Sequence, residues 1–456
     1  FAAFQDRDPA SPFFGRLPNI VKPGSLDFHT TDGTPRFVLA LRDYLRYSGD
    51  SSLLRELYPV VVASIDGSLA RFVDRHGLLV HADNETWMDA RRAGDLAAYA
   101  PRGTRANDIQ ALWHGQLLAG AEFAELLGDR AAAERWRGAA GSVQHGFTQL
   151  FSAPATQQRP VSIADHVTAQ GVADHTLRPN VLFALDMVPA TDAATITAHA
   201  WRTLVFPLGA TTLDPADRGF HPFHLAPRCW HKDAAYHNGA VWPWLDGIAI
   251  DRMVEFGQVE PAWQLFHARS RLALQRGVVG GLPENLDAYP HPGEAQPRLT
   301  GTYLQAWSNT EHLRAWYQDF LGVRPALDEA RITLAPRLPT AAGDVDFEAR
   351  VGSGSLRGVY QRLGTGRRYH WLLRGLDATV TVDLPGLESQ SFAMRSGEQL
   401  VVDESGDATR AALHSLDGSL RQSLRFKPSI ERRSRQDAWH RIFAGVGFAT
   451  PRSFDQ

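Results

Sequence analysis

Between residues 34 and 321 apolar side chains recur every three to four positions in separate blocks, the period of helices that bury one face. Thr34-Pro35 opens the first block as a cap followed by proline at the first helical position. Phe37, Leu41, Tyr44, Leu45 and Tyr47 then follow at that spacing until Gly49. Residues 51 to 74 repeat the design through Leu54, Leu57, Tyr58, Val61, Val62, Ile65, Leu69 and Phe72. The same reasoning predicts helices over about 107 to 127, from Asp129 to about Phe151, over 178 to 188 and 192 to 205, from Trp244 to about Phe256, and over 259 to 276 and 302 to 321. Long loops separate them, notably 5 to 32, 206 to 233 and 280 to 287. Nine helices in antiparallel pairs, with long loops after every second one, describe a mainly α fold: a toroid of inner and outer helices with its loops gathered at one end.

From Arg324-Pro325 the period changes to alternation. Residues 331 to 334, 345 to 351, 368 to 373 and 378 to 382 read as strands, so the expected domains are a helical unit over 1–324 and a small β domain over 325–456. Beyond about residue 405 the pattern fades, and the tail from Arg421 to Gln456, rich in Arg and Ser, predicts no element.

Composition narrows the partner. With 456 residues, 44% hydrophobic and 21% charged, the chain can bury one large core and a smaller one. A formal charge of −3 supplies no basic field for nucleic acid or an anionic membrane, so a neutral partner is expected. The single cysteine, Cys229, rules out an internal disulfide and fits a reducing compartment, hence a cytoplasmic expectation. No apolar run is long enough to span a bilayer, and no charged-then-apolar leader is visible. Phe1-Ala2-Ala3-Phe4 reads as the last turn of an apolar helix, and residue 1 is not Met, so a natural start is expected further upstream. Twelve tryptophans, several near loops or turns, suit either sugar stacking or core packing.

The candidate chemistry lies in two acidic loops. In Asn84-Glu85-Thr86-Trp87-Met88-Asp89 a carboxyl stands beside a tryptophan ahead of a strongly apolar helix; an acid catalyst on sugars needs a partly apolar wall to raise its pKa and an aromatic face for the ring. Asp89 could equally cap the next turn. Pro283-Glu284-Asn285 occupies the equivalent place in a later helix pair, so on a closed ring both carboxylates would face one funnel. Inverting glycoside hydrolysis needs such a pair, about 6.5 to 9.5 Å apart so that a water fits between them. Glu284 could instead be a solvated turn residue, and Asp287, three positions on, competes with it as the base. No phosphate-binding glycine loop, zinc-type cluster or Gly-x-Ser-x-Gly elbow is present. His221, His224 and His231 share a loop with Cys229 but lack ligand spacing; a polar loop is expected there, with no metal and no cofactor.

Five ordered motifs carry a resemblance: Asn84 to Asp89, Pro101-Arg102-Gly103 leading to Asp108-Ile109-Gln110-Ala111-Leu112-Trp113, Leu177-Arg178-Pro179-Asn180, Tyr236-His237-Asn238-Gly239-Ala240-Val241-Trp242-Pro243-Trp244, and Gln305-Ala306-Trp307-Ser308. Over residues 15 to 322 they resemble the amylo-α-1,6-glucosidase domain of glycogen debranching enzymes, within the six-hairpin (α/α)6 toroid glycosidases that include glucoamylase and trehalase. The resemblance implies an inverting, exo-acting hydrolase of a terminal α-glucosidic bond in oligosaccharides or glycogen-like glucans. It implies Asp89 as general acid and Glu284 as general base. Trp87, Asp108, Trp113, His237, Trp242 and Trp307 would be similar to positions lining the sugar pocket. The first of the family's hairpins, which contributes an Arg-Asp motif, has no counterpart here, and Ala288-Tyr289-Pro290-His291-Pro292 replaces the usual Asp/Gly-rich continuation after Glu284. A disaccharide phosphorylase on a similar toroid and a non-catalytic glycan-binding remnant are the alternatives.

Overall fold

A computed structural model describes residues 1–156, 160–364, 366–406 and 408–451. The last residues of the tail, 452–456, for which the sequence pattern predicts nothing, lie outside the described residues.

The helical region opens with α1 (Gly33–Ser48) and α2 (Ser51–Arg71), then α3 (Asn107–Leu127) and α4 (Arg130–Leu150). The boundaries follow from capping chemistry. Asp50 accepts the Ser52 amide at 2.8 Å and Asp129 the Ala132 amide at 3.1 Å, while Gly49 and Gly128 end α1 and α3 in the left-handed conformation. Residues Pro179–Met187 form a 3-10 helix rather than the α-helix that the periodicity suggests, followed by α5 (Ala190–Leu204). A short α6 (Lys232–Tyr236) precedes α7 (Leu245–Glu255), α8 (Val259–Gln275) and α9 (Ala306–Arg314).

The expected helix over 302 to 321 is thus shorter at its start and altered at its end. Leu299–Thr300 pairs as a strand with Asn285–Leu286, the chain then turns at Gly301 and enters α9 only at Ala306, and Ala315–Phe320 widens into a π-helical turn. Within the helical region α1 packs on α3, α3 on the 3-10 helix, that helix on α7 and α7 on α9; α2, α4, α5 and α8 each pack on members of that series.

The β-rich region contributes two sheets. The smaller has the order β1 (Val323–Ala326), β2 (Arg331–Leu334), β6 (Ala378–Val382) and β7 (Gln390–Met394), with β2 and β6 parallel. The larger is an antiparallel run of β3 (Val345–Val351), β4 (Gly354–Leu363), β5 (Gly366–Arg374), β8 (Gln399–Asp403), β9 (Arg410–His414) and β10 (Leu420–Arg425). Alternate residues of both sheets, among them Ile332, Val380, Phe392, Leu356, Trp371 and Val402, meet in one apolar core separate from the helical one.

The tail is structured. After β10 the helix α10 (Ile430–Ile442) turns away from the sheets and docks on the helical region: Trp439 meets Phe256 edge-on at 5.1 Å, Phe443 lies 6.0 Å from Phe256, and Phe448 packs on Trp201. The Ala449 amide donates to the Val205 carbonyl at 2.8 Å. Nine of its thirteen residues are charged, Ser, Gln or His, so the few apolar positions show no period, and only the surface they reach makes sense of them. Replacing Phe443 by Ala should lower the unfolding free energy of the helical region by about 3 kcal/mol, as expected for a buried aromatic, measured by thermal or denaturant unfolding of the whole chain.

Candidate active site

Three loops and the start of α9 converge at one end of the helical region. The loop ahead of α3 is anchored at its backbone, where Thr31 donates to the Glu85 carbonyl at 2.8 Å and Arg102 to the Asp83 carbonyl at 2.9 Å. Trp87 is pinned from within, its indole N–H donating to Asn180 Oδ1 at 2.9 Å. The loop between α6 and α7 is held by Arg178, which donates to the His237 carbonyl at 2.7 Å and to Asn238 Oδ1 at 2.8 Å. Val241 and Leu286 exchange backbone hydrogen bonds at 2.8 and 2.9 Å, fastening that loop to the one that carries Glu284. Ser308, in the first turn of α9, donates to the Pro283 carbonyl at 3.0 Å.

These anchors assemble an aromatic floor. Trp87 meets His237, Trp242 and Trp244 edge-on with centroids 5.3, 5.5 and 5.1 Å away. Trp307 stacks on Trp244 at 5.1 Å and touches Trp242 edge-on, and Tyr236 stands edge-on to Trp242 at 4.7 Å. Of the residues singled out in the sequence, Trp87, His237, Trp242, Trp307 and Glu284 therefore share one contiguous constellation.

Asp89 follows the floor residue Trp87 by two positions. Asp89 is exposed, yet enough protein surrounds its carboxyl to displace part of the hydrating water. That desolvation raises its pKa above the ordinary aspartate range; His29, a backbone amide and Arg91 offset it only in part, and Asp32 adds to the rise. Glu284 is half-buried and its two oxygens are both held: the Tyr236 hydroxyl donates to Oε1, and the Thr302 amide donates to Oε2 at 2.8 Å. Gly301, at φ +69°, makes this possible, because a Cβ there would stand 2.4 Å from Glu284 Oε2. The Tyr236 phenol is pushed far above its ordinary pKa, first by burial and then by Glu284, with Asp89 contributing as well, so it lies in the field of both carboxylates.

Other candidates are placed differently. Asp108 is buried and paired with Arg102 at 2.8 Å; the same guanidinium holds Asp165 at 2.8 Å. Burial raises Asp108; Arg102 opposes the rise, and Asp165 and Asp32 add to it. Burial also pushes Asp165 up, but Arg102, His166 and Arg178 together hold it well below the carboxylate range. Trp113 is fully enclosed in the helical core, donating to the Gly77 carbonyl at 3.3 Å, and has no ring contact with the floor among the described residues. Asp287 is buried, with both oxygens engaged, by the His224 amide at 2.7 Å and by His291 Nε2 at 2.8 Å. In the histidine loop, His221 stacks on Trp230, His224 on Tyr236 and His231 on Tyr99, and among the described residues no group of three or more His, Cys, Asp or Glu could hold a metal ion. No described helix is long and apolar enough to cross a membrane.

His237 is fully buried and held neutral, chiefly by burial, and among the described residues neither ring nitrogen has a hydrogen-bonding partner. With no exposed surface it backs the floor, as the buried Trp87 and Trp242 do, which corrects the expectation that these three side chains line a pocket themselves.

A helical region with this aromatic cluster at its loops, followed by a β-rich region, fits a glycoside hydrolase-like protein. The chain belongs to the amylo-alpha-1,6-glucosidase family, whose model matches residues 14–314. Among solved structures it is similar to the GH78 family rhamnosidase of Bacillus sp. GL1 (TM-score 0.54, 16% identity, 78% of this chain and 33% of that one). It is similar also to an alpha-L-rhamnosidase from Dictyoglumus thermophilum (0.55, 11%, 91% and 41%) and to a protein described as a sialidase (0.55, 15%, 74% and 31%). The chain thus spans about a third of the length of the first of these, and at such identities the likeness is one of fold. Comparison with curated proteins finds no match.

Two participants escape the sequence pattern. Tyr236 stands in a quoted motif, yet nothing local marks its hydroxyl as the partner of a residue 48 positions away. Asp165 lies in an unremarkable stretch, and only the fold brings it to Arg102. Replacing Arg102 by Met would leave two buried carboxylates without their shared cation; a loss of about 3–5 kcal/mol is expected, read as a lower melting temperature of the whole chain.

Proposed function

We propose that this chain is an inverting, exo-acting glycoside hydrolase that releases a terminal α-glucosyl unit, at an α-1,6 branch or related linkage, from an oligosaccharide or a glycogen-like glucan. The observation that carries this reading is the Tyr236 hydroxyl, bonded to Glu284 and lying in the field of Asp89 above a floor of tryptophans. Asp89, its pKa raised by desolvation, suits the general acid: it gives its proton to the glycosidic oxygen as the bond to the anomeric carbon breaks. Glu284, held at both oxygens, suits the general base: it takes a proton from the water that attacks the opposite face, leaving inverted sugar and a free hydroxyl on the departing chain. Trp307, which is partly exposed, would support the apolar face of the ring, with Trp87, Trp242 and His237 buried behind it. No cofactor is required by this chemistry.

Asp108 and Trp113 act, on this reading, from behind the pocket wall. The chain of contacts from α1 through α3, the 3-10 helix and α7 to α9 supports an (α/α)6-type toroid with those helices innermost. The division into a catalytic unit over 1–324 and a β-rich unit over 325–456 belongs to the same proposal, with α10 tying the second back to the first. A fixed Glu284 supports hydrolysis over phosphorolysis, in which phosphate replaces the activated water.

Incubation with maltose, isomaltose, trehalose and a branched dextrin, followed by NMR of the anomeric proton, tests the reading: β-glucose should appear first, and release of a sugar phosphate or of no product would overturn it. Asp89→Asn and Glu284→Gln should each lower kcat by about 10²- to 10⁴-fold with KM changed little. Because Asp89 acts protonated and its pKa is raised, the alkaline limb of the rate–pH profile should lie above the ordinary aspartate value of about 4, and activity should fall as pH rises through it. A limb unchanged in an Asp89→Glu variant would assign it to another group.

A further inference from the structure

We propose that Tyr236 is a positioning residue for the reaction, holding Glu284 in the orientation that receives the proton of the attacking water and tying it to the wall beside Asp89. This rests on the hydrolase reading of the same two carboxylates and adds a residue that the family resemblance did not single out.

The geometry allows the phenol little freedom. Its ring is wedged between Trp242 at 4.7 Å, His237 at 4.7 Å and His224 at 5.1 Å, and its own carbonyl accepts the Trp242 indole N–H at 2.7 Å. The hydroxyl points at Glu284 Oε1, while Oε2 is taken by the Thr302 amide at 2.8 Å. A carboxylate oxygen can accept more than one hydrogen bond, so each keeps a lone pair for water while the plane of the carboxylate is set by two donors from opposite sides. One of those donors is backbone and cannot turn away; the other is a side chain locked by three rings. A glutamate with several rotatable bonds is thereby reduced to one orientation before substrate arrives, which removes ordering that the transition state would otherwise require.

The balance of the step is unchanged by this role. Water loses one proton to Glu284, Asp89 loses one to the leaving oxygen, and Tyr236 keeps its own throughout as donor. Burial and the neighbouring carboxylate favour the neutral phenol, so donation persists across any ordinary assay pH. The groups facing the hydroxyl are Glu284, Asp89, Asp233 and His224, of which the first three are acidic and work in the same direction.

The test is a double-mutant cycle in the full chain, with the branched dextrin as substrate and α-glucosyl fluoride in parallel. Tyr236→Phe removes the hydroxyl and keeps the ring; it should lower kcat by about 10- to 100-fold with KM within about threefold, and the melting temperature should stay close to that of the parent. Because the role is exerted through Glu284, the Tyr236→Phe/Glu284→Gln variant should be no slower than Glu284→Gln alone. Fluoride needs little help to depart, so α-glucosyl fluoride should restore Asp89→Asn and leave Tyr236→Phe impaired. Full activity of Tyr236→Phe beside an inactive Glu284→Gln, additive losses in the double variant, or restoration by the fluoride would each overturn the assignment. Full activity of Glu284→Gln would overturn the hydrolase reading itself. Should Tyr236→Phe fail to fold, 4-fluorophenylalanine at position 236 keeps the ring and fills the place of the hydroxyl without a donor: kcat should fall by about 10- to 100-fold as expected for Tyr236→Phe, and full activity would refute the role.

Discussion

Val241 and Leu286 trade both backbone hydrogen bonds, and this single bridge decides whether the two halves of the site meet. On one side it fixes the run from Tyr236 to Trp244, which supplies the phenol and most of the aromatic floor. On the other it fixes the turn bearing Glu284. The bridge survives because its neighbours bury it: Val241 and Leu286 sit in a small apolar cluster with Leu272 and Leu282, so water does not compete for the exchanged bonds.

Desolvation then does different things to different groups in the same neighbourhood. It raises the carboxyl of Asp89, a residue that stays exposed and can still exchange protons. It also holds His237 neutral beside Trp87. Further in, Arg102 lies between Asp108 and Asp165 with essentially no exposure, where the ions persist because each is paired and hydrogen-bonded. Such a network is an expensive way to gain stability, and it also ties segments together: Arg102 donates its backbone amide to the loop of Asp89 and its side chain to the first turn of α3.

The β-rich region is bound to the helices at more than one point. Gly352 donates to the Tyr47 carbonyl at 2.9 Å, Tyr360 donates to the Leu321 carbonyl at 2.8 Å, and α10 returns across Phe256 and Trp201. The tail therefore adds apolar cover to the outside of the helical core, far along the chain from the residues it covers.

How much was legible in the sequence follows from the range of the forces involved. Helices such as α2 and α4 announce themselves because capping and a repeated apolar face are local, and the strands at 331–334, 345–351 and 378–382 because alternation is local too. The family was legible through motifs in order along the chain, which matches the family model over residues 14–314. The start of α9, the turn of 3-10 helix after Arg178, the docking of α10 and the partnership of Tyr236 with Glu284 were not, because each depends on a surface contributed by residues distant in sequence. The sequence alone determined most of the segments that coil or extend and the family they belong to; the tertiary structure decided which side chains face one another, since burial, and with it pKa and hydrogen-bond strength, exists only once distant segments have excluded water from between them.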